Sequence, residues 1–350
     1  MGLTALYSAS FENVRVSQSI FYSQVVCALG GLMVMYFLGK LDYRKFYDVA
    51  YIFYILNVLL LIWVLVSGRH VLGAKRWIEL GGINFQPSEL TKLSLILFLG
   101  RYLGNRRPKL SFSFFSNTQA LFRNFIVPLL MTALLMFLIF KQPDLGTALL
   151  LFGIFIVMVF ASGFEYRYLI GFVGVCLCLL PFAWQILKPY QKDRLLVFLN
   201  PNIDPLGAGY TIIQSKIAIG SGRLFGKGWL AGTQNQLNFL PERHTDFIFS
   251  VIGEEWGLLG TLLLVSFYFA LIYVGLKIAE QVKDKFGTLV AVGIVSILTL
   301  QVVINIGMVM GLFPIVGLTL PFISYGRSSF LIFSIMMGFL LNLSKRRTIF

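Results

Sequence analysis

Charge is scarce in this chain. Only 13% of its 350 residues are charged, and the acidic side chains number 15. A soluble domain carries nearer about a quarter, so a soluble globular fold is excluded. Histidine is almost absent: His70 and His244 are the two, in separate segments with no cysteine beside either. That excludes the common zinc sites. The three cysteines, Cys27, Cys176 and Cys178, all fall inside apolar runs. Cys176 and Cys178 point in different directions on a helix, so all three read as core residues, not as a disulfide or a metal site. No segment recurs at a fixed period and no motif has a second copy, which counts against an inverted-repeat transporter. Nothing near the start has the pattern of a cleavable signal peptide, and the first full span can act as the insertion signal.

What fills the chain instead is apolar: 57% of its residues are hydrophobic. Runs long enough to cross a bilayer, without the alternation of a membrane barrel, predict a polytopic all-α membrane protein, a single integral membrane domain over 1–350. The expected spans are Ser19–Leu38, Val49–Val66, Glu89–Leu103, Phe125–Phe140, Thr147–Ser162, Leu169–Leu187, Phe247–Ile278, Thr288–Leu312 and Phe330–Leu343, with a half-length stub at Met1–Ser10. The net charge of +14 belongs to short loops and not to a nucleic-acid face. One set of loops holds Lys40, Arg44, Lys45, Arg101, Arg106, Arg107, Lys109, Arg123, Arg167, Lys277, Lys283, Lys285, Lys345, Arg346 and Arg347. The alternate set holds Arg15, Arg69, Lys75, Arg76, Lys141 and Arg327. The richer set is expected on the cytoplasmic side, with the C-terminus. The segment 188–246 then faces outside, and a connection that long is expected to be functional.

Ionisable groups concentrate in PERHTDFIFSVIGEE, residues 241–255, where an apolar run begins. Charge at the edge of hydrocarbon is costly and persists there for a function. Glu254 lies ~12 Å from Asp246 if one helix carries both, beyond the ~5–9.5 Å of paired glycosidase carboxylates. Asp246 therefore acts alone, and Glu254 and Glu255 read as anchors for the loop or for neighbouring helices. Gly253 and Gly257, and again Gly307 and Gly311, have the spacing of close helix packing. The latter pair could also dock a partner's single span.

Glu89 and Lys92 share a helix face. They form either an ion pair that fixes packing or a polar wall of a substrate cavity, with Ser88 a candidate N-cap. Asp144, in KQPDLGTA, suits a helix cap or a site role. Within the long segment, Ile212–Ile219 predicts a short amphipathic helix with Gln214 and Lys216 on its polar side. GSGRLFGKG has the wrong glycine spacing for a phosphate loop, and no Ser or Thr follows Lys227. Arg194, Lys216, Arg223, Lys227 and Arg243 can meet a diphosphate or simply face solvent and headgroups.

Taken together, GAKRWIELGGINFQPSELTKL, KQPDLGTALL, the stretch from DPLGAGY through PERHTDFIFSVIGEEWGLLG, and GLFPIVGLTLPFISYGRSS resemble the SEDS family of shape, elongation, division and sporulation proteins. The likeness covers essentially the whole chain and is nearer the elongation members than the division members. It implies ten transmembrane helices, with the first reduced here to Met1–Ser10, and it departs from the common SYGGS at Arg327. It also implies a peptidoglycan glycosyltransferase of the bacterial cytoplasmic membrane that polymerises lipid II on the outer face for cell elongation. The implied partners are a class B penicillin-binding protein and other elongation-machinery proteins, with no nucleic acid. The family's essential acidic residue falls on Asp246 and its intramembrane pair on Glu89 and Lys92. Asp144, Lys216, Arg223, Glu242, Arg243 and His244 are the further candidates for substrate binding. The sequence has no Asp-x-Asp pair, so a divalent cation, magnesium or manganese, would be held mainly by the substrate diphosphate with one or two carboxylates. A lipid II flippase and a scaffold that recruits the penicillin-binding protein are the rival readings.

Overall fold

The computed structural model describes all residues except 12–13, 72–73, 81–82, 106–120, 188, 206 and 347–350. The expected loop charges Arg106, Arg107, Lys109 and Arg347, and the loop's first residue Lys188, lie outside the described residues. Among the described residues fourteen α-helices run in chain order: α1 Gly2–Ser10, α2 Val14–Leu38, α3 Arg44–Ser67, α4 Pro87–Gly104, α5 Val127–Lys141 (entered through a π-turn at Phe122–Ile126), α6 Leu145–Ala161, α7 Tyr166–Cys178, α8 Leu180–Ile186, α9 Pro189–Leu199, α10 Ala208–Ser221, α11 Thr233–Gln236, α12 Ile248–Gln281, α13 Lys285–Val309 and α14 Arg327–Arg346. Among the described residues six helices are long and apolar enough to cross a membrane, and two shorter apolar ones, Leu145–Ala161 and Tyr166–Phe182, accompany them. The protein is a polytopic all-α membrane protein. Large apolar side chains stand exposed along α2 (Val26, Leu29, Met33, Phe37) and α3 (Ile52, Ile55, Leu59, Val66), which is the surface hydrocarbon requires.

The chain forms two compact units. The first comprises Met1–Cys27, Ile170–Leu271 and Gln301–Gly326; the second comprises Ala28–Leu169, Ile272–Leu300 and Arg327–Phe350. The core of the second unit is α4, buried almost all round from Pro87 to Leu103 and packed on α3, α5, α6 and α14. Gln86 is its N-cap and Pro87 its first residue, where a missing N–H costs nothing. Ser88 is therefore inside the first turn and not the cap. Ahead of α4 stands a small antiparallel sheet, β1 Arg69–Val71, β2 Ala74–Leu80 and β3 Ile83–Phe85, in the order β1-β2-β3 with Arg69 opposite Trp77 and Glu79 opposite Asn84.

In the first unit, the described part of 188–246 carries three α-helices, α9, α10 and the short α11, and is otherwise turns and loop. The expected Ile212–Ile219 helix runs longer, over Ala208–Ser221. Asp246 precedes α12, which starts at Ile248, so Asp246 and Glu254 do not share one helix. Gly257 has φ 64° and ψ −161° and interrupts α12. It does not present a flat helix face as its spacing from Gly253 suggested. The interruption frees backbone groups, and residues 223–228 satisfy them. The amides of Lys227 and Gly228 donate to the carbonyls of Glu254 and Glu255 (2.9 and 3.0 Å), and the amides of Leu258 and Leu259 donate to those of Arg223 and Leu224 (2.9 and 3.1 Å). A β-carbon at Gly222, Gly226 or Gly257 would collide with the facing backbone. Gly311 likewise lies beyond the end of α13, with φ +72°, so Gly307 and Gly311 do not form a helical docking face.

Gly257→Ala must adopt a conformation open essentially to glycine while meeting the Gly226 amide, at a cost of about 1–3 kcal/mol. A lower unfolding temperature of the purified protein is expected, whereas Gly174→Ala, with open space around it, leaves that temperature unchanged or raised. Equal unfolding temperatures for the two variants would contradict the role given to the interruption.

Candidate functional site

Asp246 stands where the chain turns from an irregular segment into α12. Its conformation is held from the opposite strand of chain, 317–325. The side-chain amide of Asn305 donates to the backbone carbonyls of Asp246 (3.0 Å) and Leu318 (2.6 Å). The Ser324 hydroxyl donates to the Thr245 carbonyl (2.5 Å), and the Tyr325 amide donates to the His244 carbonyl (2.8 Å). Gly317, at φ +72°, brings its backbone beside the carboxylate, with a β-carbon position 3.4 Å from Oδ2. Glu242 is held at φ 48°, a left-handed conformation unusual for a residue with a β-carbon.

A cavity of about 220 Å³ opens here. Asp246, Glu242 and Arg194 line it together with Thr211, Ile212, Phe247 and Ile315. Arg194 is steered by donating to the Ile315 carbonyl (3.2 Å). Of the basic residues weighed from sequence, Arg194 is thus the one on the wall of the Asp246 cavity. Lys216 lies one turn along α10, its ammonium over the backbone of Gly311, where a β-carbon would stand 2.6 Å from Nζ. Arg243 has its guanidinium committed to the Ala9 carbonyl (2.7 Å), the Asn235 carbonyl (2.6 Å) and the Asn238 side chain; it pins the segment to α1. Arg223 is exposed, and its carbonyl belongs to the seam with Leu258. His244 packs its ring 6.0 Å from Tyr325. Burial holds its imidazole below the ordinary range, with Arg243 adding to this and the Glu242 carboxylate opposing it.

Glu254 and Glu255 are buried and do anchor the loop. One oxygen of Glu254 accepts from Lys227 Nζ (2.7 Å), Thr233 Oγ1 (3.1 Å) and the Gln234 amide (3.0 Å). Glu255 accepts from the Ser8 hydroxyl, while Asn235 donates to the Ser8 carbonyl (2.9 Å).

The second unit holds its own polar cluster. Lys92 donates to Glu89 at 2.7 Å with its side chain fully buried, and its ammonium lies 5.9 Å from the centre of the Phe333 ring. The other Glu89 oxygen, Oε2, is buried and has no hydrogen-bond partner among the described residues. Asp144 caps α6 by accepting from the Thr147 amide (3.2 Å) and hydroxyl (3.0 Å). Its Oδ2 also accepts from Gln86 and Ser88, each at 3.4 Å, so capping and a place in the cluster coexist. Arg76, not singled out from sequence, donates to the Gln142 carbonyl (2.8 Å) and to the Pro143 carbonyl, fixing the turn that presents Asp144.

The chain belongs to the family of cell cycle proteins that comprises FtsW, RodA and SpoVE, which it matches over residues 1–349. It is 42% identical to the peptidoglycan glycosyltransferase MrdB of Escherichia coli, over 91% of this chain and 83% of that protein. It is 39% identical to the probable peptidoglycan glycosyltransferase FtsW of Geobacter metallireducens, over 99% and 91% respectively. Its fold superposes on a chain of a peptidoglycan synthase complex that coordinates polymerization and crosslinking, with a TM-score of 0.80 at 33% identity, covering 99% of this chain and 95% of the other. It is also similar to an aspartate-to-alanine variant of the rod shape determining protein RodA of Thermus thermophilus, with a TM-score of 0.72 at 32% identity, covering 99% and 93%.

Removing one member of a buried ion pair strands the other charge, at a cost of about 3–5 kcal/mol. Lys92→Met alone is expected to depress yield and unfolding temperature sharply, and Glu89→Gln combined with Lys92→Met to restore both. No recovery in the double variant would contradict the pairing.

Proposed function

We propose that this protein is a peptidoglycan glycosyltransferase that polymerises lipid II for cell elongation, with Asp246 at its reacting centre. The observation that carries the reading is a cavity lined by both a carboxylate, Asp246, and a guanidinium, Arg194, in a chain 42% identical to a peptidoglycan glycosyltransferase. The acceptor sugar's hydroxyl attacks the anomeric carbon of a donor sugar, and the lipid diphosphate departs. A β-linkage formed from an α-linked donor inverts configuration, so one base suffices. Asp246 accepts the hydroxyl proton as the bond forms, since a carboxylate is too weakly basic to ionise an alcohol beforehand. Arg194 stabilises charge growing on the leaving diphosphate, with Lys216 and Arg223 next along the chain for longer reaches of substrate.

Asp246 and Glu242 supply two carboxylates to this cavity, and among the described residues no cluster of three or more metal-ligating side chains exists. That donor set fits magnesium or manganese shared with a substrate diphosphate, not an all-protein cage. Such a cation would neutralise the diphosphate. In the second unit, the unpartnered Glu89 oxygen and the cluster around Asp144 would hold polar groups of the lipid-linked substrate while its polyprenyl chain stays in the bilayer. The reading further places the C-terminus in the cytoplasm and segment 188–246 outside. It gives the enzyme a class B penicillin-binding protein as partner, which the likeness to a synthase complex supports.

Loss of the base is worth about 10²–10⁴ in rate. With purified lipid II, the cognate penicillin-binding protein and a divalent cation, Asp246→Asn is expected to make no detectable glycan over the period in which wild type consumes its substrate. Arg194→Gln should slow synthesis about 10²-fold. Chains made by Asp246→Asn at the wild-type rate would overturn the assignment and move weight to a flippase.

A further inference from the structure

The loop between α10 and α11 is built on the seam with α12 and carries apolar side chains outward. Leu224 and Trp229 are more than half exposed, and Phe225 is 79% exposed, in a segment whose backbone is tightly fixed by the Gly257 interruption. Burying such residues normally drives folding, and a fixed loop that displays three of them has a surface to meet.

The length of α12 says what that surface is. From Leu258 to Leu276 no residue is charged, and Lys277 follows. At about 1.5 Å per residue this stretch is roughly 28 Å long, close to the thickness of a bilayer's hydrocarbon. Its outward face is apolar from the start: Leu258, Leu259, Leu262 and Leu263 are exposed. The hydrocarbon therefore begins at Leu258, and the charged Glu254 and Glu255 lie just above it. Arg223 and Leu224 are hydrogen-bonded through their backbones to Leu258 and Leu259, which sets the loop at that border. Trp229, with its ring 6.0 Å from Tyr7 and its indole N–H 3.3 Å from the Thr4 carbonyl, has the amphipathic disposition that tryptophan takes at membrane interfaces. Beside it a hollow of about 880 Å³ is lined by Gly220–Lys227, with the exposed Arg223 on its wall. That guanidinium suits a lipid phosphate. Lys227 is taken up by Glu254.

We infer that Leu224, Phe225 and Trp229, within segment 188–246, form a foot that inserts into the adjoining bilayer leaflet, with Arg223 at the level of the lipid phosphates. The foot continues the lipid-facing surface of α12. It fixes the height above the hydrocarbon of the chain that leads on to Asp246. The inference concerns position and stands whatever reaction the protein performs.

The test uses the full chain in nanodiscs whose acyl chains carry bromine near the headgroup end. The difference in emission between wild type and Trp229→Phe isolates Trp229. Trp229→Phe combined with Phe225→Trp reports the most exposed position. Bromolipid is expected to quench both signals at least about twofold, as for side chains in the interfacial belt, and aqueous iodide to leave them nearly unchanged. Iodide quenching equal to or greater than bromolipid quenching would place the loop in water. Quenching by neither would mean that protein covers it. Either result overturns the inference.

Discussion

The interruption of α12 at Gly257 is the constraint on which the first unit depends. A helix entering a membrane cannot leave backbone groups unpaired, because the cost of each is several kcal/mol. Here a break is tolerated because residues 223–228 supply both the donors and the acceptors that the helix lacks. The approach needs glycine on both sides, at Gly222, Gly226 and Gly257. Glu254 then collects Lys227, Thr233 and Gln234, and Glu255 reaches Ser8. One local break thereby ties α1, the loop and the helix into a frame that carries the chain to Asp246.

In both units several charged groups near the candidate sites are held by fixed partners. In the first unit Arg243 is taken by three acceptors, whereas Arg194 lines the same cavity as Asp246. In the second unit Lys92 neutralises Glu89 through one oxygen and leaves the other without a partner. Asp144 caps α6 and still receives Gln86 and Ser88.

Much of this was legible in the sequence. Low charge and long apolar runs gave the membrane class, and the ionisable groups from Pro241 to Glu255 pointed to the segment that leads into α12. The anchoring role of Glu254 and Glu255 followed from their depth. What the sequence hid was long-range. Arg194 could not be ranked above Lys216 or Arg243, because nothing local says which cation meets Ile315 and which meets Ala9. Gly257 and Gly311 looked like helix-packing glycines, since the same spacing serves a helix face and a left-handed turn. The sheet strands Arg69–Val71, Ala74–Leu80 and Ile83–Phe85 have no strict alternation to announce them; the Gly81-Gly82 pair is the one hairpin signal there. Arg76 carried no local sign of its tie to Gln142.

The central claim is that Asp246 moves a proton in the transition state and does not merely bind substrate. The most direct measurement separates the two: equilibrium binding of lipid II and the single-turnover rate of glycosyl transfer, each in wild type and Asp246→Asn. The account predicts binding within about threefold of wild type and a single-turnover rate lower by about 10²–10⁴. A loss of binding as large as the loss of rate would contradict it and leave Asp246 a substrate-binding residue only.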